Sequence, residues 1–352
     1  MPDDEPRPAR LTAQLLAGRA ARTPEDVVHR LLAVQAQDPR GFRLAVRARS
    51  AGLVAADVDR ALTESRSLVV TWLQRGTLHL VTADDYWWLQ PLMAPRIVTA
   101  NERRLRQEGV SARQADRGVE VITDALDSGE ARTRDELRAL LDDAGVPTAG
   151  QALVHLIVAA SLRSDVVRGP VVGNHHAFVS ARRWLGPPTS SVARDEALAR
   201  LARRYLAGHA PATADDLAKW TGLPLRDARA GFDAIAGEVT QRDDGLVAPK
   251  GARTRARAPG AKLLGAFDPL LHGWVSREPF VGPYRHVVTS NGIFRPVVLV
   301  DGRVIATWGL ADGQVSITTL EPVPAHARDT LRREAADVLR FLALPPRPLV
   351  VS

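Results

Sequence analysis

The chain repeats one order of elements three times: short helical patterns are followed by two β-rich runs that a polar turn joins. In the first occurrence a helix begins at the capping Thr23 and Pro24, and the later β-rich runs flank a turn at residues 74–76. Short helices followed by a hairpin are the order of a winged helix-turn-helix unit. The sequence therefore predicts an α+β fold, mostly helical, with three tandem winged helix-turn-helix motifs.

The second occurrence has the same order. It contains a helix over residues 112–126, a helix that begins at the capping Thr133 and an apolar helix, followed by a hairpin candidate with a Gly173-Asn174 turn. A proline-rich linker at residues 186–191 precedes the third occurrence, which has three helical patterns and another β-rich stretch.

The pattern changes from Lys262 onward. Two Asp-Gly pairs, Asp301-Gly302 and Asp312-Gly313, each lie between β-rich runs and predict hairpins of a small sheet or barrel. One amphipathic helix follows, with its apolar face at Leu331, Ala335, Val338, Leu339 and Leu342. We interpret this part as a scaffold.

These patterns divide the chain into five segments. They are a disordered tail (1–9), winged unit 1 (10–110), winged unit 2 (111–187), winged unit 3 (188–262) and a C-terminal scaffold with one helix (263–352).

Composition restricts the chemistry. The 352 residues include no cysteine, which excludes disulfides, thiol catalysis and cysteine-ligated metal sites. The 47 basic residues exceed the 40 acidic ones, and arginine supplies nearly all the positive charge. This balance is typical of proteins that bind nucleic acid or anionic surfaces, although a high G+C coding sequence would also enrich arginine.

The sequence contains no pattern for a membrane segment, a cofactor site or a metal site. The chain has no membrane-length apolar run and no signal-peptide pattern, so we expect a cytoplasmic protein associated with the nucleoid. It has no phosphate loop, dinucleotide fingerprint, nucleophile elbow or helical His pair, so we expect no cofactor and no metal.

One short motif suggests a reactive centre. Gln35-Ala36-Gln37 precedes Asp38-Pro39, and proline biases the residue before it away from the helical region. In an extended segment Gln35 and Gln37 point to the same side and Ala36 points away, so the two amides can hold one water. A solvated helix end is the alternative interpretation of this polar run.

Four stretches together resemble a known family. LLAVQAQDPRGFRLAVRAR, WLQRGTLHLVTADDYWWL, TADDLAKWTGLPLRDARAGF and LLGAFDPLLHGW followed by NGIFRPVVLVDGRVIATW are similar, in this order, to the AlkZ/YcaQ-type winged-helix DNA glycosylases. The resemblance covers about residues 10–345. It implies three winged helix-turn-helix motifs around a C-terminal β-barrel, a concave DNA channel, and a Gln-x-Gln or Gln-x-Asp catalytic motif. Gln35 and Gln37 place the chain in the AlkZ-like branch.

The resemblance implies a DNA glycosylase that removes N7-alkylated purines. Two neutral glutamines predict selectivity for cationic bases, and the absence of lysine near the motif in the sequence predicts a monofunctional, water-dependent enzyme. We expect its substrates to include bulky or interstrand-crosslinked adducts of a genotoxic natural product, as in self-resistance. The expected partner is duplex DNA that contains alkylated purines, and the expected oligomeric state is a monomer. The alternatives are a winged-helix DNA-binding regulator without catalysis and a glycosylase fold that has lost turnover.

The candidate site residues are the following. The catalytic candidates are Gln35 and Gln37, and the DNA-binding candidates are Arg43, Arg47, Arg75, His79, Lys250, Arg253, Arg255, Arg257 and His272. Asp268 is a further candidate near the lesion. The basic run from Lys250 to Lys262 contains no acid, and a solvated loop is the alternative interpretation of it.

Overall fold

The computed structural model describes residues 5–172, 175–188, 191–252 and 260–352. Its helices are α1 (Arg7–Ala13), α2 (Pro24–Leu31), α3 (Pro39–Arg49), α4 (Ala55–Thr63), α5 (Ala83–Gln107), α6 (Ala112–Asp127), α7 (Arg134–Asp143), α8 (Ala152–Leu162), α9 (Ala181–Leu185), α10 (Arg194–His209), α11 (Ala214–Thr221), α12 (Leu225–Ala234), α13 (Glu278–Val281) and α14 (Arg328–Phe341). Its strands are β1 (Val34–Gln35), β2 (Leu68–Trp72), β3 (Leu78–Thr82), β4 (Arg132–Thr133), β5 (Val166–Val172), β6 (His175–Ser180), β7 (Val239–Gln241), β8 (Val247–Pro249), β9 (Ala261–Leu264), β10 (Val297–Val300), β11 (Arg303–Ala311), β12 (Gln314–Thr319) and β13 (Val350–Val351). About half of the chain is helical, which confirms the α+β class.

Two predicted helix starts are confirmed. The Thr23 hydroxyl accepts a hydrogen bond from the Asp26 amide (3.1 Å) at the start of α2, and Thr133 forms a capping box with Glu136 at the start of α7. Helix α2 is short, at eight residues. Leu32 has a φ of 65° and ends α2, so the following residues are extended.

The Asp-Gly turns are also confirmed. Asp301-Gly302 joins β10 to β11, and Asp312-Gly313 joins β11 to β12. All four residues have positive φ, as a two-residue hairpin turn requires when its twist matches that of the strands. The turn at residues 74–76 joins β2 to β3 as predicted. The predicted Gly173-Asn174 turn lies outside the described residues.

The contacts divide the chain into two compact units. The discontinuous unit contains the described residues up to Asp59 and from Leu198 onward, and the continuous unit contains those from Arg60 to Ala197. This division differs from the segments predicted from the sequence, whose boundaries stay a prediction. Helices α10 to α12 and then strands β7 and β8 occur in the order predicted for a winged unit, but the arrangement of three such units also stays a prediction.

The continuous unit is built on strands in the order β3-β2-β5-β6-β4. All five residues of β2 are buried, which agrees with its unbroken apolar sequence LVVTW. Helices α5 and α8 contact each other and β2, and α6 packs on α8. The core of this unit therefore lies between the sheet and these helices.

The discontinuous unit contains the sheet β13-β12-β11-β10-β9, antiparallel except for the β12–β13 pair. This sheet is open, with β9 and β13 as its edges among the described strands, so the expected closed barrel is not found there. Turn signals specify hairpins, but they do not show whether the first and last strands pair. Helices α3 and α14 both pack on β9, which places the start of α3 beside the sheet.

In the part of the chain that the structure describes, no helix combines the length and the hydropathy needed to cross a membrane.

Candidate active site

The glutamine motif lies in a short link between two helices. After α2 ends at Leu31, β1 places Gln35 on extended backbone. Asp38 then caps α3, because its carboxylate accepts a hydrogen bond from the Gly41 amide (2.6 Å) and Pro39 occupies the first turn. The end of α2 and the capped start of α3 therefore fix the two ends of the glutamine motif.

The two glutamine side chains meet, as the extended backbone predicted. The Gln35 Nε2 donates a hydrogen bond to the Gln37 Oε1 at 2.7 Å, whereas Ala36 is buried. Gln35 is only 8% exposed and Gln37 is exposed, so the pair connects the interior to the surface. The Gln35 Oε1 is buried and has no hydrogen-bond partner among the described residues. An unsatisfied buried acceptor of this kind is suited to hold a donor such as water.

Helix α3 is held close to the sheet that follows the motif. A Cβ on Gly41 would overlap the carbonyl oxygen of Ala266, and a Cβ on Gly265 would lie 2.9 Å from the Leu44 Cβ. Only glycines permit this close approach of two backbone segments. A cleft of about 450 Å³ opens here, a volume within the usual range of small-molecule sites. Its lining residues are Asp38, Pro39, Arg40, Gly41, Leu44, Ala266, Pro296, Trp308, Gly309 and Leu310.

Arg47, predicted to contact DNA, is instead buried on the inner face of α3. Its guanidinium donates to Glu334 (2.9 Å) and Asp337 (3.1 Å) of α14 and to the Leu263 carbonyl (2.6 Å) of β9. Burial by itself would raise the pKa of Glu334, but the positive charges of Arg47 and Lys262 hold that pKa below its usual value. These partners leave Arg47 no access to a phosphate, so we do not retain it among the candidate DNA contacts.

Arg49 and Asp268 form a second buried network. The Arg49 guanidinium donates to both Asp268 oxygens (2.7 and 2.9 Å), and both side chains are completely buried. Arg49 also donates to the Gln14 side chain (2.9 Å), and Gln14 donates to the Gly208 carbonyl (2.8 Å). Asp268 was a candidate near the lesion, but its burial makes it an anchor for the loop that follows β9.

The other candidates occupy different environments. Arg43 pairs with Asp59 and donates to the Pro39 carbonyl (2.6 Å). The exposed Lys250 donates to the Gly237 carbonyl (2.7 Å), and His272 is partly buried. Arg253, Arg255 and Arg257 lie outside the described residues.

The two candidates in the continuous unit contrast with each other. Arg75 is exposed at the β2–β3 turn with a φ of 55°. His79 is buried, and burial together with the nearby Arg75 lowers the pKa of its imidazole to about 3. A buried neutral imidazole does not contact phosphate, so of these two we retain Arg75 alone as a candidate DNA contact.

Two exposed cations were missed in the sequence. Arg285 and Arg295 are exposed, and within the described ranges neither has a carboxylate partner. The Arg295 amide donates to the Val287 carbonyl (2.9 Å), which brings their two segments together. The sequence does indicate a basic surface here, because the stretch between Glu278 and Asp301 contains arginines but no acidic residue.

Comparison with known proteins identifies the family. The family model described as "DNA glycosylase AlkZ-like" matches residues 28–341. The chain belongs to the AlkZ-like DNA glycosylase family. The resemblance seen in the sequence is thus confirmed, and so is the enzyme class, a DNA N-glycosylase.

A curated protein and a solved structure, both from Streptomyces sahachiroi, match this member of the AlkZ-like family along nearly its whole length. A curated protein named "Interstrand DNA cross-link repair glycosylase" is 29% identical over 97% of this chain and 96% of its own. The solved structure of the Streptomyces sahachiroi DNA glycosylase AlkZ has a TM-score of 0.83 and 27% identity, and the match covers 98% of each chain.

Proposed function

We propose that this DNA glycosylase removes cationic N7-alkylated purines from duplex DNA, including bulky and interstrand-crosslinked adducts, with Gln35 and Gln37 as the catalytic pair. The observation that carries the proposal is the hydrogen-bonded pair itself, in which the Gln35 Oε1 is buried without a partner among the described residues and Gln37 is exposed. The name of the 29% identical relative, an interstrand cross-link repair glycosylase, supports the crosslinked substrate. Self-resistance to a genotoxic natural product is the corresponding biological role.

The chemistry suits neutral amides. Cleavage of the bond between C1′ and N9 leaves an oxocarbenium-like sugar, and the departing base takes the bonding electron pair. An N7-alkylated guanine is cationic while attached and becomes neutral as it leaves, so it needs no general acid. Water then forms a bond to C1′ and loses a proton to solvent. The enzyme has to position that water, which is the task of oriented hydrogen-bond acceptors.

The neutral charge of the two amides also favours cationic bases over undamaged ones. A carboxylate in place of one amide would stabilise the developing sugar cation more strongly than an amide does. Two neutral glutamines therefore favour bases that are already activated by their own charge, and they leave undamaged nucleotides intact. No lysine lies near the motif in the sequence, so hydrolysis without a Schiff-base intermediate is the mechanism we propose.

DNA binding is assigned to basic side chains. We propose phosphate contacts by residues on both units and by the basic run outside the described residues; they are Arg43, Arg75, Lys250, Arg253, Arg255, Arg257, His272, Arg285 and Arg295. Among them, Arg285 and Arg295 are strong candidates, because both are exposed and neither has an ion pair to break within the described residues. We propose that the enzyme acts as a monomer at the nucleoid.

A substrate panel tests the proposed function. Duplexes that contain N7-methylguanine, an N7–N7 guanine crosslink or only undamaged bases are incubated with excess enzyme, and free base and alkali-labile abasic sites are measured. We expect release from the first two duplexes and none from the third. Release of undamaged purines at a similar rate would contradict selectivity for cationic bases. Salt-dependent binding without release from any duplex would favour the alternative function, a DNA-binding regulator without catalysis.

A further inference from the structure

Three aromatic side chains form a cluster just after β9. We call Phe267, His272 and Phe294 the aromatic corner. The Phe267 and His272 rings are nearly parallel (14°) with centroids 6.2 Å apart, and Phe294 lies 5.9 Å from Phe267 and 3.8 Å from His272. Phe294 is buried, whereas Phe267 and His272 are partly exposed. The buried ring thus supports two rings that solvent reaches.

Phe267 is held in a strained conformation. Its φ is 55°, a left-handed value that a bulky side chain seldom adopts and that persists only when the surroundings enforce it. The enforcing contacts lie on both sides: the Phe267 amide donates to the Phe294 carbonyl (3.2 Å), and the next residue is Asp268, fixed by its buried pair with Arg49. Such strain is concentrated at ligand-binding positions in proteins.

Neighbours of the aromatic corner along the chain line the cleft beside the glutamine motif, although the three rings themselves do not. Ala266, which precedes Phe267, lines that cleft and touches Gly41, in the first turn of α3. Pro296, two residues after Phe294, lines the cleft as well. The anchor of Phe267 is also on α3, because Arg49 belongs to that helix. One helix therefore connects the catalytic candidates to the strained aromatic residue.

We propose that the aromatic corner is the stacking surface for the alkylated base, with Phe267 as its specificity-determining residue. This inference rests on the proposed function and names the feature that recognises the substrate. The ligand is a flat purine that carries a positive charge, and both properties favour an aromatic face, through stacking and through attraction of the cation by the ring electrons. Undamaged purines share only the first property. The Arg277 guanidinium already lies over the Phe294 ring, 5.1 Å from its centroid, so the discrimination by charge is assigned to the Phe267 ring.

The test separates stacking from stability. Phe267→Leu keeps an apolar side chain without ring electrons, and Phe267→Tyr keeps the ring. Tyr284→Leu is the matched control, because Tyr284 is another partly exposed aromatic residue of the same unit. Affinity is measured for a duplex with 2′-fluoro-N7-methylguanosine, which resists hydrolysis, and for its undamaged counterpart. Thermal melting of each variant is recorded.

We expect Phe267→Leu to reduce the preference for the lesion duplex about 5- to 100-fold, the range for one lost base–aromatic stack. Phe267→Tyr and Tyr284→Leu should retain the wild-type preference, and binding to undamaged DNA and melting should change little. An unchanged preference in Phe267→Leu would overturn the inference, as would a wild-type enzyme with no preference for the lesion. The non-hydrolysable duplex measures binding, whereas the substrate panel measures base release. Failure of the stacking inference can therefore be distinguished from failure of the proposed function.

Discussion

At the residue scale, a buried ion pair joins two segments that lie far apart in the sequence. Arg49 and Asp268 are both completely buried and satisfy each other with two hydrogen bonds. A buried ion pair contributes little net stability, but removing one partner leaves an uncompensated charge. The pair therefore acts as a constraint on the loop that carries Phe267.

Asp268→Asn should strongly destabilise the protein. It leaves the buried Arg49 guanidinium without its counter-charge, and we expect a loss of about 3–5 kcal/mol in the free energy of unfolding. Denaturant unfolding measures this loss. The control is Asp329→Asn, which removes the exposed partner of Arg332 and should change stability by less than about 1 kcal/mol. Equal effects in the two variants would contradict the anchoring role.

Buried histidines predict an acid sensitivity. Burial, with the charge of Arg75, lowers the pKa of His79 to about 3, and burial lowers that of His209 to about 3 as well. Below the ordinary pKa of about 6.5 the unfolded chain takes up protons that the folded chain refuses, so stability falls between about pH 6.5 and pH 3. At pH 5 each histidine contributes a loss of about 2 kcal/mol.

His79→Asn should therefore flatten the dependence of unfolding free energy on pH between 7 and 5. The comparison with wild type is made by denaturant unfolding at several pH values, because the variant also alters stability at neutral pH. The exposed His286→Asn serves as the control and should keep the wild-type slope. A wild-type slope in His79→Asn would mean that its imidazole is not the group that titrates.

At the element scale, the position of the glutamine motif depends on the close contact between the start of α3 and the backbone at Ala266. Gly41→Ala would place a Cβ against the Ala266 carbonyl, and both are backbone-fixed, so α3 must shift. We expect lower melting temperature and at least about 10-fold slower excision, since small displacements of catalytic groups have large kinetic effects. Gly237→Ala meets no atom within 4 Å and should behave as wild type. Wild-type excision by Gly41→Ala would show that the glutamines do not depend on this packing.

Helix starts and hairpin turns could be predicted from the sequence, because neighbouring residues specify them. The distant residues that pack against them could not. Thr23, Thr133 and the two Asp-Gly turns each specify a cap or hairpin through neighbours within a few residues. The role of Arg47 depends on Glu334 and Asp337, almost three hundred residues further along the chain, and an exposed helix face looks the same in the sequence. The meeting of Gln35 and Gln37 was predictable, because extended backbone alone brings the two side chains together.

At the scale of the whole molecule, positive charge is the property that suits a DNA substrate. The net charge of +7 was evident from composition, but which arginines are available was not. The structure shows Arg47 occupied by carboxylates and Arg285 and Arg295 exposed. The open edges of the C-terminal sheet and the division into two units also depend on contacts between distant segments, so local patterns did not reveal them.

The double variant Arg285→Ala/Arg295→Ala should bind DNA with a weaker salt dependence. Each lost phosphate contact lowers the slope of log affinity against log salt by about 0.9, so we expect a decrease of about 2. Fluorescence anisotropy at several salt concentrations measures it. Arg332→Ala, on the outer face of α14, is the control. An unchanged slope in the double variant would place the phosphates elsewhere on the protein.

The most direct test of the account is single-turnover excision of N7-methylguanine by Gln35→Ala, Gln37→Ala and the double variant. We predict that each single variant releases the base about 10- to 1,000-fold more slowly than wild type, the range for lost transition-state hydrogen bonds, and that the double variant releases less still. DNA affinity should stay within a few-fold of wild type. Wild-type rates in all three variants would contradict the assignment of the glutamine pair as the catalytic centre.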